Sequence, residues 1–292
     1  MALPARMTIK QAGIPTAIVG VVAAGGLYVA YSSFQPSKKA FGGGLTGSLK
    51  LQNAEDVNHN TKRLRFSFPR PEDETGLTYV SSVLTASWPK GSITPVFRPY
   101  TPVSNLDAPG FVDLLVKKYP EGKASTHLHS LQPGDSLFFA FPIKAYTWEP
   151  NRYEHITLIA GGAGITPLYQ LIQGILKNPT DRTKMTLVFG VNTENDILLR
   201  DEFESYQKQF PDRFKVVYTV SSNSIEKTST EFRNGRVTKE LLKELLPSTS
   251  GNDTKVFLCG PPAMEDALTG KGRGESGILG ELGYRKDQVF KF

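Results

Sequence analysis

The stretch Arg98-Pro99-Tyr100-Thr101-Pro102-Val103-Ser104 carries most of what can be predicted from this chain. Its two prolines favour extended backbone, so we predict a strand whose alternate side chains face one ligand. Arg98 can bind a pyrophosphate through two parallel N–H groups, and Tyr100 can lay its ring beside a flat ring system. Thr101 would lie where that ring exchanges protons. The combination is typical of a flavin site, although an edge strand with a surface arginine would show the same short pattern.

Three further motifs follow in order, and they are Gly122-Lys123-Ala124-Ser125, Gly161-Gly162-Ala163-Gly164-Ile165-Thr166-Pro167 and Cys259-Gly260-Pro261-Pro262-Ala263-Met264. In this order and spacing, the four motifs resemble the ferredoxin-reductase-like flavoproteins, most closely the NADH-cytochrome b5 reductases. The resemblance runs from about residue 45 to Phe292, and the tail from Gly277 onward is similar to the fungal mitochondrial members. It implies a six-stranded Greek-key barrel that carries FAD, followed by a Rossmann-like domain that binds NADH.

The residue pattern divides the chain in the same way. Between Leu45 and about Trp148 the residues alternate as in strands, with turn signals between them, which is typical of an antiparallel β-barrel. After Asn151, apolar strands alternate with helical stretches, which predicts a parallel α/β sheet covered on both faces. We predict a targeting and anchor segment with a hinge over residues 1–44, an FAD domain over 45–150 and an NAD domain over 151–292.

Composition excludes several classes of site. A single cysteine excludes an internal disulfide framework and an all-cysteine metal site, and four scattered histidines argue against zinc. No basic run interleaves with aromatic residues, so nucleic acid is not expected as a partner. The net charge of +6 fits either a solvated basic surface or an acidic partner.

The N-terminal segment differs from the rest of the chain. No charged residue occurs from Gln11 to Ser37, and Ile14–Tyr31 is an apolar run between basic flanks. Its length matches the 18 to 20 or so residues with which a helix crosses a bilayer. We predict a single transmembrane helix in the mitochondrial outer membrane; a cleaved segment or a buried one is the alternative. The run Phe41-Gly42-Gly43-Gly44 is predicted to be a flexible hinge.

The resemblance assigns FAD contacts to the first two motifs and to nearby positions. The residues concerned are Arg98, Pro99, Tyr100, Thr101, Ser104, Val116, Lys117, Tyr119, Gly122, Lys123, Ala124 and Ser125. Gly122 and a helix N-terminus would meet the phosphates, although Ser125 could cap that helix without any ligand. Lys117 matches a lysine associated with NADH use, and its alternative is a solvent-facing lysine on a strand edge.

The NADH contacts implied by the resemblance lie in the two later motifs. They are Gly161, Gly162, Gly164, Ile165, Thr166, Pro167, Gly260, Pro261, Pro262 and Met264. The glycines remove side chains just before a helix, so backbone N–H groups can approach a pyrophosphate, and Pro167 suits a first helical turn. The absence of G-x-G-x-x-G argues against the ordinary dehydrogenase site. By resemblance Thr166 also touches the flavin.

Four residues are candidates for the reaction centre: Thr101, Lys117, Cys259 and His59. The resemblance places the thiol of Cys259 beside the nicotinamide, where it positions the ring; a lone cysteine is otherwise a small apolar residue. Nothing in the chain supplies a base to make this thiol a nucleophile. His59 matches a histidine linked to Thr101, and its alternative is a surface residue of a turn. His127 and His129 are predicted to be surface residues of a short helix.

Two departures from the family pattern stand out. Where members that prefer NADH carry an aspartate, Tyr218-Thr219-Val220 is followed by Ser221-Ser222. Serine can bond a ribose hydroxyl but cannot repel a 2′-phosphate, and no arginine follows immediately. We therefore predict NADH as donor, with weakened exclusion of NADPH. The second departure is the glycine-rich loop Gly270–Gly277, for which we have no physical account.

The resemblance implies a monomeric reductase that takes hydride from NADH and passes electrons singly to cytochrome b5. Basic residues would face this acidic haem protein, and the candidates are Lys62, Arg63, Lys117 and Lys123. Two other functions stay open. One is a related reductase that serves a quinone or another haem acceptor. The other is a membrane-tethered nucleotide-binding protein without turnover.

Overall fold

The structure is a computed structural model of the 292-residue chain, and it describes residues 20–23, 26–29, 39–42, 47–222, 231–247, 253–272 and 275–292. The chain divides into one unit over Met1–Ser37 and a second, compact unit over Lys38–Phe292. In the first unit, strands β1 (Gly20–Ala23) and β2 (Gly26–Val29) form an antiparallel pair.

The predicted transmembrane helix is not supported. In the part of the chain that the structure describes, no helix has both the length and the apolar character that a membrane crossing needs. Part of Ile14–Tyr31 lies outside the described residues, and the part that is described forms β1 and β2 instead. The β-branched Val21 and Val22 favour strands, while glycine is a poor helix former. An apolar run of suitable length therefore does not by itself select a helix.

The first half of the larger unit is a six-stranded antiparallel sheet. Its strands are β3 (Gly47–Asn58), β4 (Thr61–Ser67), β5 (Ser81–Ser87), β6 (Val96–Tyr100), β7 (Phe111–Lys117) and β8 (Ser136–Lys144). They pair in the order β6-β5-β8-β3-β4-β7, which is a Greek-key arrangement. The two outer strands also meet, because Pro102 forms a bridge with Leu114 and the Val103 N–H donates to the Asp113 carbonyl at 2.9 Å. The sheet thus closes into the predicted barrel.

The barrel core extends to Phe41, which the sequence had placed in a hinge. Phe41 is only 2% exposed, its ring lies edge-on to Phe68, and its N–H donates to the Thr75 carbonyl at 2.9 Å. The hinge prediction is therefore wrong for Phe41, since a large aromatic side chain gains more free energy in the core than in solvent. Gly43 and Gly44 lie outside the described residues.

The second half is a six-stranded parallel sheet, as predicted. Its strands are β9 (His155–Gly161), β10 (Lys184–Val191), β11 (Phe214–Val220), β12 (Phe232–Asn234), β13 (Thr254–Cys259) and β14 (Val289–Lys291). The order is β12-β11-β10-β9-β13-β14, so the direction of winding reverses between β9 and β13. Parallel sheets bind ligands beyond the carboxyl ends of the strands at such a switch point. Gly161 ends β9 and Cys259 ends β13, which places both sequence motifs there.

Helices cover both faces of this sheet. The helices of the unit are α1 (Lys123–Ser130), α2 (Ile165–Lys177), α3 (Arg200–Gln209), α4 (Lys239–Leu245), α5 (Pro262–Thr269) and α6 (Ile278–Glu281). Successive residues of β9 pack into two different hydrophobic clusters, one on each face of the sheet. Leu158 packs in the cluster that contains α2 and α3, whereas Ile159 packs in the cluster that contains α4 and α5. The apolar, non-alternating strands predicted from the sequence follow from burial on both sides.

A buried amide joins the barrel to the parallel sheet. Gln170 on α2 accepts a hydrogen bond from the Ser81 N–H at 2.7 Å and donates to the Ser81 carbonyl at 3.1 Å. Its amide group also lies 3.3 Å from the Pro102 carbonyl, and the side chain is fully buried. On the same helix, Gly174 leaves room for the ring of Tyr79. These contacts hold the two domains in one orientation and leave a cleft between them.

Candidate functional site

A cleft of about 1480 Å³ lies between the barrel and the α/β domain. This volume exceeds the roughly 300–1,000 Å³ of a site for one drug-sized ligand, so two large ligands can share it. All four sequence motifs border it. Its basic lining residues are Arg98, Lys117, Lys118, Lys123 and Arg236, and its acidic ones are Glu121 and Asp196. The cleft is therefore suited to phosphate-bearing ligands.

On the barrel side, β6 presents Arg98 and Tyr100 to the cleft. The two residues are two positions apart, so they share a face of the strand, as predicted. The Arg98 side chain is exposed and donates one hydrogen bond to the Phe97 carbonyl at 2.7 Å, so further guanidinium donors can reach a ligand. Burial raises the pKa of Tyr100 to about 12, so its hydroxyl remains protonated and able to donate. Thr101 borders the cleft next to it.

The second motif forms the start of α1. Gly122 is the residue before the helix, and the Ser125 hydroxyl donates to the Gly122 carbonyl at 3.0 Å while accepting from the Tyr119 N–H at 3.2 Å. Ser125 is therefore not the helix cap that the sequence allowed, because its hydroxyl stabilises the preceding turn. The first N–H groups of a helix lack intrahelical partners, and no acidic residue occupies the first turn of α1. This end of α1 can bind an anion.

The glycines of the third motif allow two loops to pack together. A Cβ built on Gly164 would collide with the carbonyl of Cys259, and one on Gly161 would lie 2.7 Å from the Pro261 ring. The sequence interpretation assigned these glycines to close approach by a ligand. For these two positions, the direct requirement is contact between the β9 and β13 loops. Gly162 differs, because it has a φ of 52°, and a Cβ built on it would lie 4.0 Å from the Lys117 ammonium nitrogen.

Cys259 ends β13 at the edge of the cleft and is partly buried. Burial raises the pKa of its thiol to about 12, and the nearby carboxylate of Glu265 acts in the same direction. The thiol is therefore neutral at physiological pH and is a poor nucleophile. This agrees with the absence of an activating base in the sequence interpretation. A role in positioning a ring stays a prediction.

Lys117 connects the two domains at the cleft. It ends β7 of the barrel, and its ammonium group lies 3.5 Å from a carboxylate oxygen of Asp196, which follows β10. The Asp196 carboxylate also accepts hydrogen bonds from the Thr193 N–H at 3.1 Å and the Thr193 hydroxyl at 2.8 Å. Lys117 is 18% exposed and Asp196 is 5% exposed. The alternative of a solvent-facing lysine is therefore excluded.

Asp196 remains ionised despite its burial. Burial by itself raises the pKa of this carboxyl, but the two hydrogen bonds from Thr193 and the charges of Lys117 and His59 lower it by more. The pKa of Asp196 thus lies below its ordinary value, and the negative charge opposite Lys117 is present at physiological pH.

His59 lies beside this ion pair. Its Nε2 atom is 3.9 Å from the Asp196 carboxylate and forms a 2.8 Å hydrogen bond with the Asn60 side chain. Within the described residues, no hydrogen bond joins His59 to Thr101, and His59 does not border the cleft. Its predicted role in the reaction stays a prediction. His129 was predicted to be a surface residue, but it is partly buried, and its Nε2 atom forms a 2.7 Å hydrogen bond with the Val116 carbonyl.

Three predicted contact residues lie behind the cleft rather than on its wall. Ser104 accepts a hydrogen bond from the Asp113 N–H at 3.1 Å, while Val116 and Ile165 are core residues with 1% and 0% exposure. Their side chains pack the walls, so any ligand contact would come from backbone atoms. The remaining cofactor contacts predicted from the sequence border the cleft, as do Thr101, Lys117 and Cys259 among the candidates for the reaction centre.

Several lining residues had not been predicted from the sequence, and they include Val80, Ser81, Ser82, Ile143, Ala145, Asn192, Asp196, Thr219, Arg236, Val237 and Phe292. One of them had a local signal. Thr193-Glu194-Asn195-Asp196 fits the capping-box pattern, and the structure contains that box. Arg236 had no such signal, because it reaches the cleft through strand pairing alone.

Three of the four basic residues predicted to face an acidic partner bind other residues of the chain instead. Arg63 pairs with Glu202 at 3.3 Å, and Lys62 donates to the His129 carbonyl at 3.3 Å. With Lys117 bound to Asp196, Lys123 is the predicted residue that remains exposed. The exposed cations that line the cleft are Arg98, Lys118, Lys123 and Arg236.

We expect Asp196→Asn to destabilise the protein by about 1 kcal/mol, which corresponds to roughly 2–4 °C in Tm. The amide can still accept from Thr193 but loses the charge opposite Lys117. Because the pKa of Asp196 is lowered on folding, the difference persists above about pH 4 and declines below it. Thermal unfolding by circular dichroism measures the change. Glu194→Gln in the same turn is the control, since the Glu194 side chain is 42% exposed. An equal effect of both substitutions would contradict the prediction.

Comparison with known proteins agrees with this arrangement. The family model for the oxidoreductase FAD-binding domain matches residues 48–148, and the one for the oxidoreductase NAD-binding domain matches residues 158–269. NADH-cytochrome b5 reductase 2 of Aspergillus oryzae is 49% identical over 87% of this chain and 80% of its own length. The protein of that name from Pyricularia oryzae is 47% identical over 84% of this chain and 75% of its own length. Among solved structures, the cytochrome b5 reductase domain of Ulva prolifera nitrate reductase superimposes with a TM-score of 0.72 at 29% identity, covering 84% of this chain and 96% of that domain.

Proposed function

The chain belongs to the NADH-cytochrome b5 reductase family, and from this premise we propose that it oxidises NADH through FAD and reduces cytochrome b5. The observation that carries the proposal is the shared cleft. The strand of Arg98 and Tyr100, the start of α1, and the loops after β9 and β13 all border it, although they are far apart in the sequence. A flavin and a nicotinamide need such a common site, because hydride transfer requires direct contact.

The barrel wall fits FAD. Arg98 and the N-terminus of α1 provide charge-assisted and backbone donors for its pyrophosphate. Tyr100 provides an aromatic face and a protonated hydroxyl, and Thr101 follows it along the cleft. When bound, FAD supplies the chemistry that connects a two-electron donor to a one-electron acceptor.

The opposite wall fits the nicotinamide nucleotide. The β9 loop and the start of α2 offer backbone N–H groups for its pyrophosphate. Cys259 presents a neutral thiol, and Pro261, two residues further on, restricts the backbone conformation of the same loop. Both can therefore orient the nicotinamide ring without reacting with it. Lys117 places a positive charge at the junction of the walls, where Asp196 keeps it in position.

We expect the full-length protein to be yellow and to be bleached by one equivalent of NADH under anaerobic conditions, as followed by visible absorption. Arg98→Ala should weaken FAD retention by about 10- to 100-fold, since it removes charge-assisted hydrogen bonds. Arg182→Ala is the control, because Arg182 is exposed and lies outside the cleft. A colourless protein, or a yellow one that NADH does not bleach, would overturn the reductase proposal and favour a nucleotide-binding protein without turnover.

For the acceptor, we propose that the acidic rim of cytochrome b5 docks against the exposed cations Lys118 and Lys123. Attraction between opposite charges raises association rates and weakens with salt. We expect Lys118→Gln to lower kcat/KM for cytochrome b5 and to reduce its salt dependence, while the rate of flavin reduction by NADH stays the same. Lys90→Gln, exposed but away from the cleft, is the matched control. No effect of ionic strength on the wild-type reaction would contradict this docking surface.

We also propose that the enzyme acts as a monomer attached to the mitochondrial outer membrane through residues 14–31. The uncharged run between basic flanks supports the attachment, and a cleft built from one chain supports the monomer. In fractionated fungal cells, the full-length protein should remain with outer-membrane markers after alkaline carbonate extraction. A chain without residues 1–37 should be released. Release of both proteins would exclude the anchor.

A further inference from the structure

The outer corner of the cleft is formed by the carboxyl ends of β11 and β12. Val220 at the end of β11 pairs in register with Asn234 at the end of β12, and the Gly235 N–H donates to the Val220 carbonyl at 2.8 Å. The residues that follow these two strands are therefore neighbours in space. Ser221 and Arg236 both border the cleft at this corner.

This corner is where the adenosine ribose of a bound dinucleotide would lie. In nucleotide-binding parallel sheets, the pyrophosphate meets the first strand-to-helix turn, and a residue at the end of a nearby strand contacts the ribose hydroxyls. Here that turn follows β9, and β11 is the second strand away from it in the sheet. An acidic residue at this point excludes a 2′-phosphate by repulsion, whereas Ser221 carries no charge.

Arg236 makes the corner electropositive. Its side chain is exposed, and within the described residues no carboxylate forms an ion pair with it. The acidic residues of the cleft wall, Glu121 and Asp196, belong to the junction with the barrel, and Asp196 is already paired with Lys117. A guanidinium group matches a phosphate through two parallel hydrogen bonds.

A second observation indicates a polar ligand at the same place. Thr219 borders the cleft and is 1% exposed, and its buried hydroxyl has no hydrogen-bond partner in the part of the chain that the structure describes. Thr219 and Ser221 are two positions apart, so they share a face. Among the residues that the structure describes, the Ser221 hydroxyl has one weak hydrogen bond, at 3.4 Å from the Asn192 side-chain oxygen. Buried polar groups normally have hydrogen-bond partners. The unsatisfied hydroxyl of Thr219 and the weakly bonded hydroxyl of Ser221 therefore fit a bound polar molecule.

We propose that NADPH is a second hydride donor for this enzyme, and that Arg236 and Ser221 bind its 2′-phosphate. The proposal rests on the proposed function, because it requires a nicotinamide dinucleotide in the cleft. The reaction balances as it does for NADH. NADPH would be oxidised to NADP⁺ by loss of one hydride, which carries two electrons and one proton. Two molecules of cytochrome b5 would each take one electron, and the proton would be released to solvent.

The direct test is binding of two adenosine probes to the full-length holoprotein by isothermal titration calorimetry. The probes are 2′,5′-ADP and 5′-AMP, which represent the adenosine halves of NADPH and NADH. We expect 2′,5′-ADP to bind at least about 10-fold more tightly, since it gains a charge-assisted pair. Arg236→Ala should abolish this preference and leave 5′-AMP binding unchanged, which also shows that the variant is folded. Ser221→Asp should lower affinity for 2′,5′-ADP by repulsion, and Arg182→Ala should change neither probe.

A second measurement separates this proposal from the proposed function. Anaerobic flavin reduction is followed with NADH and with NADPH in the wild-type and Arg236→Ala proteins. We expect both nucleotides to reduce the wild-type flavin and Arg236→Ala to slow NADPH alone by about 10-fold. Reduction by NADH only, together with equal binding of the two probes, would overturn the NADPH proposal and leave the reductase intact. Reduction by neither nucleotide would overturn the proposed function, while the probe titration would still report on the phosphate site.

Discussion

The buried amide of Gln170 is the contact on which the rest of the structure depends. It bonds both backbone groups of Ser81 and approaches the Pro102 carbonyl, so α2 of the α/β domain is fixed to two segments of the barrel. A buried amide without hydrogen-bond partners costs about 1–3 kcal/mol. Domain orientations that separate Gln170 from Ser81 and Pro102 are disfavoured by about this amount. Because α2 begins at the nucleotide loop and Pro102 follows the strand of Arg98, the same contact sets the distance between the two walls of the cleft.

Electrostatics divide the site between the domains. The barrel contributes most of the positive charge, through Arg98, Lys117 and the start of α1, whereas the α/β domain contributes glycine loops and a protonated thiol. Asp196 is the contact between the two domains in this respect, because its carboxylate belongs to the α/β domain and pairs with Lys117 of the barrel. A charge held in this way is ordered before any ligand arrives, which lowers the cost of ordering it on binding.

The differences between sequence-based prediction and structure have physical causes. Phe41 was placed in a hinge because glycines follow it, yet its ring fills the barrel core against Phe68. Hydropathy gave the length of the N-terminal apolar run, but the described residues there form two strands, since β-branched residues and glycine weaken a helix. Lys62 and Arg63 were expected to meet an acidic partner, but Lys62 donates to a carbonyl of α1 and Arg63 pairs with Glu202 of the other domain.

Local chemistry determined what could be read from the sequence alone. Strand alternation indicated the barrel, non-alternating apolar strands indicated the parallel sheet, and four short motifs indicated the flavin and nicotinamide sites, because each depends on residues adjacent in the chain. Only the tertiary structure decided which distant residues became neighbours. It paired Lys117 with Asp196, packed Gly164 against the Cys259 carbonyl, and brought Arg236 and Ser221 to the same corner of the cleft. These contacts arise from strand order and domain orientation, which depend on packing across the whole chain rather than on any one segment.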